Sequence, residues 1–188
     1  RLVIAGDGQE RQALEALAKE LGVAEKVCFA GWIDEMDDFY QALDINTLTS
    51  LSETFPYALT EGARYALPTV SSRVGGVPYL IDHAVNGYLF PAGDWEALGK
   101  WLGVLAEDPA LREQMGRNLL KKASDKYSLE KTVQTQLEIY QDILRRHGRA
   151  HGKREGVLIC GSYGRENAGD DAILHAIIRE MREIDPYM

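Results

Sequence analysis

Cysteine is scarce in this chain of 188 residues: there are two, Cys28 and Cys160. Two thiols this far apart, in apolar strand-like surroundings, exclude a disulfide scaffold and read as buried, reduced side chains of a cytoplasmic protein. Histidine is also sparse, and no metal-ligand spacing links His83, His147, His151 or His175 with either cysteine. No apolar run approaches the roughly 18 residues that a membrane-spanning helix needs. The opening stretch Arg1-Leu2-Val3-Ile4-Ala5-Gly6 is too short and too quickly polar to read as a secretory signal. Basic residues are outnumbered, 21 Lys and Arg against 29 Asp and Glu, for a formal charge of −8. That balance argues against a general nucleic-acid binder, whose phosphate contacts need clustered Lys and Arg. With 45% hydrophobic and 27% charged residues the chain is globular in composition, not disordered.

What is present is an alternation of short apolar runs and helical patterns. Leu2-Val3-Ile4-Ala5 has no polar alternation, as expected of a parallel strand covered on both faces. Gly6-Asp7-Gly8 turns the chain into a helix from about Gln9 to Leu21, with Leu14, Leu17 and Leu21 on one face. Further strands are expected at Val27–Ala30, Ile45–Thr49, Thr69–Ser71 and Gly87–Phe90. Between them fall a short helix capped by Asp34, a helix from Pro56 to Ala66 stopped by Pro68, and a helical turn opened by Gly75-Gly76-Val77-Pro78. Three helices then follow without a strand: Asp94 to Ala106, Ala110 to Lys126, and Leu129 to Arg146, with Asp94 and Ser128 as N-caps. The sum is an α/β fold, a Rossmann-like doubly wound parallel sheet with C-terminal helices packed on it, spanning residues 1–144.

Residues 145–155 (RRHGRAHGKRE) read as a basic, solvated linker, or as a basic patch for a membrane surface or nucleic acid. Beyond it the strand–glycine–helix pattern restarts, with a strand at Gly156–Cys160, a loop at Gly161–Asp171 and a helix from Ala172 to Ile184. One strand and one helix cannot form a core alone. The chain therefore reads as an excerpt of a longer polypeptide, cut at both ends.

The chemistry-bearing stretch is Ser52-Glu53-Thr54-Phe55-Pro56-Tyr57-Ala58-Leu59-Thr60-Glu61-Gly62. It follows a strand and enters a helix, where open α/β sheets bind ligands. A helix N-terminus offers unpaired N–H groups to a phosphate, and Glu61, one turn in, can accept two hydrogen bonds from a ribose diol. Glu53, in the loop before, can sit near a sugar. From spacing alone, both can equally be solvent-facing residues that favour a helix N-terminus. Gly6-Asp7-Gly8 is either a tight turn or a nucleotide contact. His83 suits a surface or capping role, and Trp95 and Trp101 suit packing.

The Glu-x7-Glu pair does not stand alone. Ala5-Gly6-Asp7-Gly8 and Val27-Cys28-Phe29-Ala30-Gly31 precede it. Gly62 to Val70, Gly75-Gly76-Val77-Pro78 and Asn86-Gly87-Tyr88-Leu89-Phe90-Pro91 follow. In this order the set resembles the C-terminal, nucleotide-sugar-binding domain of family 4 retaining glycosyltransferases with the GT-B fold. The resemblance covers Arg1 to Leu144. It implies that Glu61 holds the donor's ribose hydroxyls and that Glu53, the candidate catalytic residue, contacts the donor sugar near the reacting centre. It implies that Phe55, Tyr57 and Ala58 meet sugar hydroxyls and the diphosphate, that Ile33 lies beside the base, and that Gly6 and Gly8 line the donor. It further implies metal-independent transfer with no cofactor, from a nucleotide diphosphate sugar to a glycan or lipid-linked acceptor. The setting implied is cytoplasmic, at the inner face of a membrane.

Three departures bear on these roles. Pro56 stands where the family often has Gly, which removes one backbone donor. Tyr79 stands where it often has Glu. The basic residues that clamp the diphosphate, and the acceptor domain, belong upstream of Arg1 in the family. The excerpt alone is therefore expected to be inactive, or a non-catalytic nucleotide-binding module. Finally, Gly161-Ser162-Tyr163-Gly164 and Asn167-Ala168-Gly169-Asp170-Asp171-Ala172-Ile173-Leu174 resemble the start of polysaccharide pyruvyl transferases, over residues 156–188. Together the two resemblances imply a bifunctional enzyme of surface-polysaccharide synthesis.

Overall fold

A computed structural model describes residues 1–147 and 178–179. The elements run β1 (Leu2–Ala5), α1 (Arg11–Glu20), β2 (Val27–Gly31), α2 (Met36–Gln41), β3 (Asn46–Leu48), α3 (Tyr57–Arg64), β4 (Thr69–Ser72), α4 (Val77–Leu80), β5 (Gly87–Phe90), α5 (Trp95–Glu107), α6 (Pro109–Tyr127) and α7 (Leu129–His147). A 3-10 turn at Ala24–Lys26 precedes β2. α7 continues into the basic stretch, where Arg146 pairs with Asp142 at 2.7 Å. The strand and glycine loop expected at 156–171, which carry the second resemblance, lie outside the described residues.

Every strand pair is parallel, as the α/β reading requires: β1 with β2, β3 with β4, and β4 with β5. The strands form two sheets, β1-β2 and β3-β4-β5. The core belongs to the second. Along β5 the side chains alternate, and each face packs against helices, with α6 contributing to both. Leu89 packs with Leu59 and Ala63 of α3, Leu80 of α4 and Leu119 of α6. Tyr88 and Phe90 pack on the opposite face with Val70, Leu105 of α5 and Met115 of α6. Trp101 lies flat on Tyr88, with ring centroids 4.3 Å apart, and His83 meets both rings edge-on. His83 Nδ1 also accepts the Leu89 N–H at 3.0 Å, so this histidine holds β5 in place.

Helix ends follow side-chain chemistry. Asp94 accepts from the Ala97 N–H, Asp108 from Leu111 and Ser128 from Lys131. Asp34 departs from its expected capping role. Glu35 occupies the N-cap of α2 without a side-chain bond, while Asp34 accepts from the exposed Trp32 indole at 2.9 Å.

The β1-β2 sheet corrects three further expectations. β1 is not covered on both faces: Leu2 is 45% and Val3 38% exposed. Leu14, Leu17 and Leu21 of the first helical segment are also exposed. Cys28 on β2 is exposed rather than buried. The cause is shared, since a two-stranded sheet has little surface to offer a helix. Trp95 also faces solvent, so of the two α5 tryptophans only Trp101 serves packing.

Candidate functional site

In parallel sheets the loops that follow the strands gather at one end. The loop after β3 carries Glu53 and Phe55, and its continuation, α3, carries Tyr57, Ala58 and Glu61. The loop after β4 is Arg73–Gly76. These two loops lock together. Ser72 Oγ donates to the Ser50 carbonyl at 2.6 Å, and Gly76 N–H donates to the Thr54 carbonyl at 3.0 Å. Ser50 Oγ then donates to Glu53 Oε1 at 2.7 Å, which fixes one carboxylate oxygen and leaves the half-buried side chain aimed from the loop. The approach is so close that a Cβ on Gly75 would stand 1.5 Å from the Glu53 carbonyl oxygen.

α3 begins without a side-chain cap, because Pro56 at its N-cap has no side-chain acceptor. The N–H groups of Leu59 and Thr60 close onto the Pro56 carbonyl, while Tyr57 and Ala58 precede the first helical bonds and are exposed. Phe55 turns inward, with its ring 5.3 Å from that of Tyr127 on α6. Its side chain thus anchors the loop, and only its backbone remains to meet a ligand.

Glu61 sits on the exposed face of α3, and its Oε2 accepts from the Tyr40 hydroxyl at 3.0 Å. Burial, and then the nearby Glu61 charge, push the Tyr40 phenol well above the ordinary tyrosine pKa. Tyr40 therefore remains a neutral donor. Asn46, buried on β3, donates to the Ala58 carbonyl at 3.0 Å, from a side chain that passes where a Cβ on Gly62 would be. Tyr40 holds Glu61 and Ser50 holds Glu53, while Asn46 ties β3 to the start of α3. The sequence alone did not mark them, because each acts on a residue brought near by the fold.

Glu53, Phe55, Tyr57, Ala58 and Glu61 lie on one continuous segment, the loop after β3 and α3. Gly6, Gly8 and Ile33 are carried on the loops after β1 and β2, which belong to the other sheet. Gly6 has φ +105°, which a side-chain-bearing residue rarely adopts, and its N–H donates to the Gly31 carbonyl at 2.7 Å. The Gly8 N–H is taken up by Asp7 Oδ1 at 2.8 Å. Both glycines are thus built into a turn. Ile33 is half-buried in the segment leading to α2. Among the described residues no three His, Cys, Asp or Glu side chains assemble as a metal site. None of the described helices is long and apolar enough to cross a membrane.

The parallel strands with helices between them form an α/β fold that matches glycosyltransferase structures of the GT-B type. The sequence pattern of the family described as "Glycosyl transferases group 1" matches residues 1–122, and the chain belongs to that family. It is 31% identical over 145 residues to N-acetyl-alpha-D-glucosaminyl L-malate synthase of Bacillus anthracis, covering 77% of this chain and 38% of that protein. Among solved structures it is similar to sucrose-phosphate synthase from Thermosynechococcus elongatus, with TM-score 0.69 and 25% identity over 77% of this chain and 38% of that one. It is also similar to the C-terminal domain of a glycosyl transferase group 1 family protein, LpcC, from Francisella tularensis. There the TM-score is 0.59 and the identity 26%, over 63% of this chain and 62% of that one. The chain therefore spans less than two thirds of the length of these relatives.

Proposed function

We propose that these residues form the donor-binding part of a retaining, family 4 glycosyltransferase that moves a sugar from a nucleotide diphosphate sugar to a cell-surface glycan or lipid-linked acceptor. The observation that carries the reading is the placement of Glu53 and Glu61 on either side of the uncapped start of α3. In this reading Glu61 accepts from the ribose hydroxyls. The diphosphate lies at the first N–H groups of α3, where unpaired donors and the helix dipole favour an anion. As the bond between the anomeric carbon and the phosphate oxygen breaks, the diphosphate leaves with the electron pair. The acceptor oxygen bonds to the same carbon from the same face and passes its proton to the departing diphosphate oxygen. Glu53, steadied by Ser50, stands beside the sugar where positive charge develops. No metal or cofactor takes part.

Acceptor recognition, and the basic groups that complete the diphosphate site, are assigned to further polypeptide. The 188 residues alone are expected to bind nucleotide without turnover. The resemblance of residues 156–188 to pyruvyl transferases supports a second, pyruvyl-transferring activity in the same protein, acting at the inner face of a membrane.

The test is a turnover assay of the full-length protein with uridine, guanosine and adenosine diphosphate sugars and lipid-linked acceptors, following the anomeric configuration of the product by NMR. Glu53→Gln is expected to lower kcat by about a hundredfold or more while nucleotide binding persists. Glu61→Ala is expected to weaken nucleoside diphosphate binding several-fold, read by calorimetry, with the circular dichroism spectrum unchanged. An inverted product removes the family 4 reading. Unchanged affinity of Glu61→Ala removes the ribose assignment.

A further inference from the structure

Tyr40 is 3% exposed and lies on α2, outside the loops that carry the proposed donor contacts. Its ring stacks on Tyr65 at 5.7 Å and 18°, and meets Phe39 edge-on at 5.5 Å. Tyr65 is itself tied to α2 by its hydroxyl, which donates to Asp37. The Tyr40 ring is therefore clamped, and its hydroxyl has a fixed position.

That hydroxyl has one proton and two acceptors in reach, the Ala58 carbonyl at 3.2 Å and Glu61 Oε2 at 3.0 Å. Ala58 is already supplied: Asn46 Nδ2 donates to it at 3.0 Å, and the helical ladder of α3 offers it a second donor. The Glu61 carboxylate makes the stronger, charge-assisted bond. Asn46 thereby leaves the Tyr40 proton to Glu61.

We propose that Tyr40 is a positioning residue that fixes the Glu61 carboxylate for a ribose diol, and so sets the preference for ribonucleotide over deoxyribonucleotide donors. The inference rests on the ribose reading of Glu61 given above. A glutamate on an exposed helix face otherwise samples several rotamers, and ordering it would be charged against ligand binding. With Oε2 pinned from inside, that ordering is complete beforehand. The remaining lone pairs of both carboxylate oxygens stay open to two hydroxyl donors. Tyr40 itself touches no ligand.

The experiment measures, by calorimetry on the full chain, the affinities of uridine, guanosine and adenosine diphosphates and of their 2′-deoxy counterparts. Wild type, Tyr40→Phe, Glu61→Ala and the double variant are compared. Tyr40→Phe keeps the stacked ring, and its melting curve and circular dichroism verify the fold. For whichever base binds, wild type is expected to prefer the ribo form, and Tyr40→Phe to lose about threefold to tenfold of ribonucleotide affinity with deoxy affinity unchanged. In the Glu61→Ala background, Tyr40→Phe is expected to add nothing. If Tyr40→Phe keeps the wild-type preference, or weakens ribo and deoxy forms equally, the positioning role is overturned while Glu61 retains its own. If Glu61→Ala keeps the preference, or no diphosphate binds, the ribose reading falls and this inference falls with it.

Discussion

Gly75 leaves the loop that carries Glu53 almost no freedom. Its φ of +46° lies in the left-handed region, and a Cβ there would stand 1.5 Å from the Glu53 carbonyl oxygen. Gly75→Ala must therefore both strain its own backbone and push the loop away, at a cost of about 1–3 kcal/mol from each source. The expected outcome is a lowered Tm together with a fall in kcat larger than the fall in nucleotide affinity, since Glu53 moves and α3 does not. Equal losses in kcat and affinity would show that the loop and the helix move together. The sequence displays the Gly75-Gly76 pair but not what it touches. Glu53 and Glu61 could be paired as candidates from the sequence because they share one short segment. Tyr40 was not, because its effect on Glu61 crosses 21 positions and depends on α2 meeting α3. Cys28 misled for a related reason. An apolar strand pattern specifies a side chain suited to burial, but burial also needs an element to cover it.

Helices show the same dependence on context. α5 and α6 both contain an interior glycine, and helix propensity assigns each the same cost of about 1 kcal/mol relative to alanine. Their surroundings differ. A Cβ on Gly99 in α5 meets nothing within 4 Å, whereas on Gly116 in α6 it would stand 1.7 Å from the Ala66 carbonyl, at the turn where α3 hands over to β4. Gly99→Ala is expected to raise stability by about 0.5–1 kcal/mol, or Tm by about 2–4 °C. Gly116→Ala is expected to lower it by about 1–3 kcal/mol, because α6 must lift off the loop it packs against. Thermal melts of the two variants settle the signs. A stabilised Gly116→Ala would mean that α6 can shift away from the Ala66 carbonyl at little cost. Strand and helix positions were readable from apolar period and from Gly and Pro, and the caps at Asp94 and Ser128 were readable from residue type. The failure at Asp34 is instructive: the residue has capping chemistry, but a neighbouring indole N–H claims its carboxylate first.

At the scale of the molecule, stability is divided unequally between the two sheets. β3-β4-β5 has helices on both faces, and Val70 of the sheet, with Leu59, Leu80, Leu105 and Leu119 of those helices, stands at 0% exposure. β1-β2 has two strands, with exposed Leu2, Val3 and Cys28. Its main tie to a helix is Arg11 of α1, which donates to the Phe29 carbonyl at 3.2 Å. Two strands alone are at best marginal in water, and local opening is easiest where few apolar contacts must be broken. Native-state hydrogen exchange on the 188-residue chain is therefore expected to show amides of β4 and β5 opening only with global unfolding. Amides of β1 and β2 should open with a free energy several kcal/mol lower. The consequence for the proposed site is direct. Glu53 and Glu61 stand on the firm sheet, while Gly6, Gly8 and Ile33 stand on the softer one. A nucleoside diphosphate that engages both sets must slow exchange in β1-β2 as well as in β3-β4-β5, because opening of either one breaks the site. Protection confined to α3 and the loop after β3 would instead show that the ligand uses the glutamate side alone.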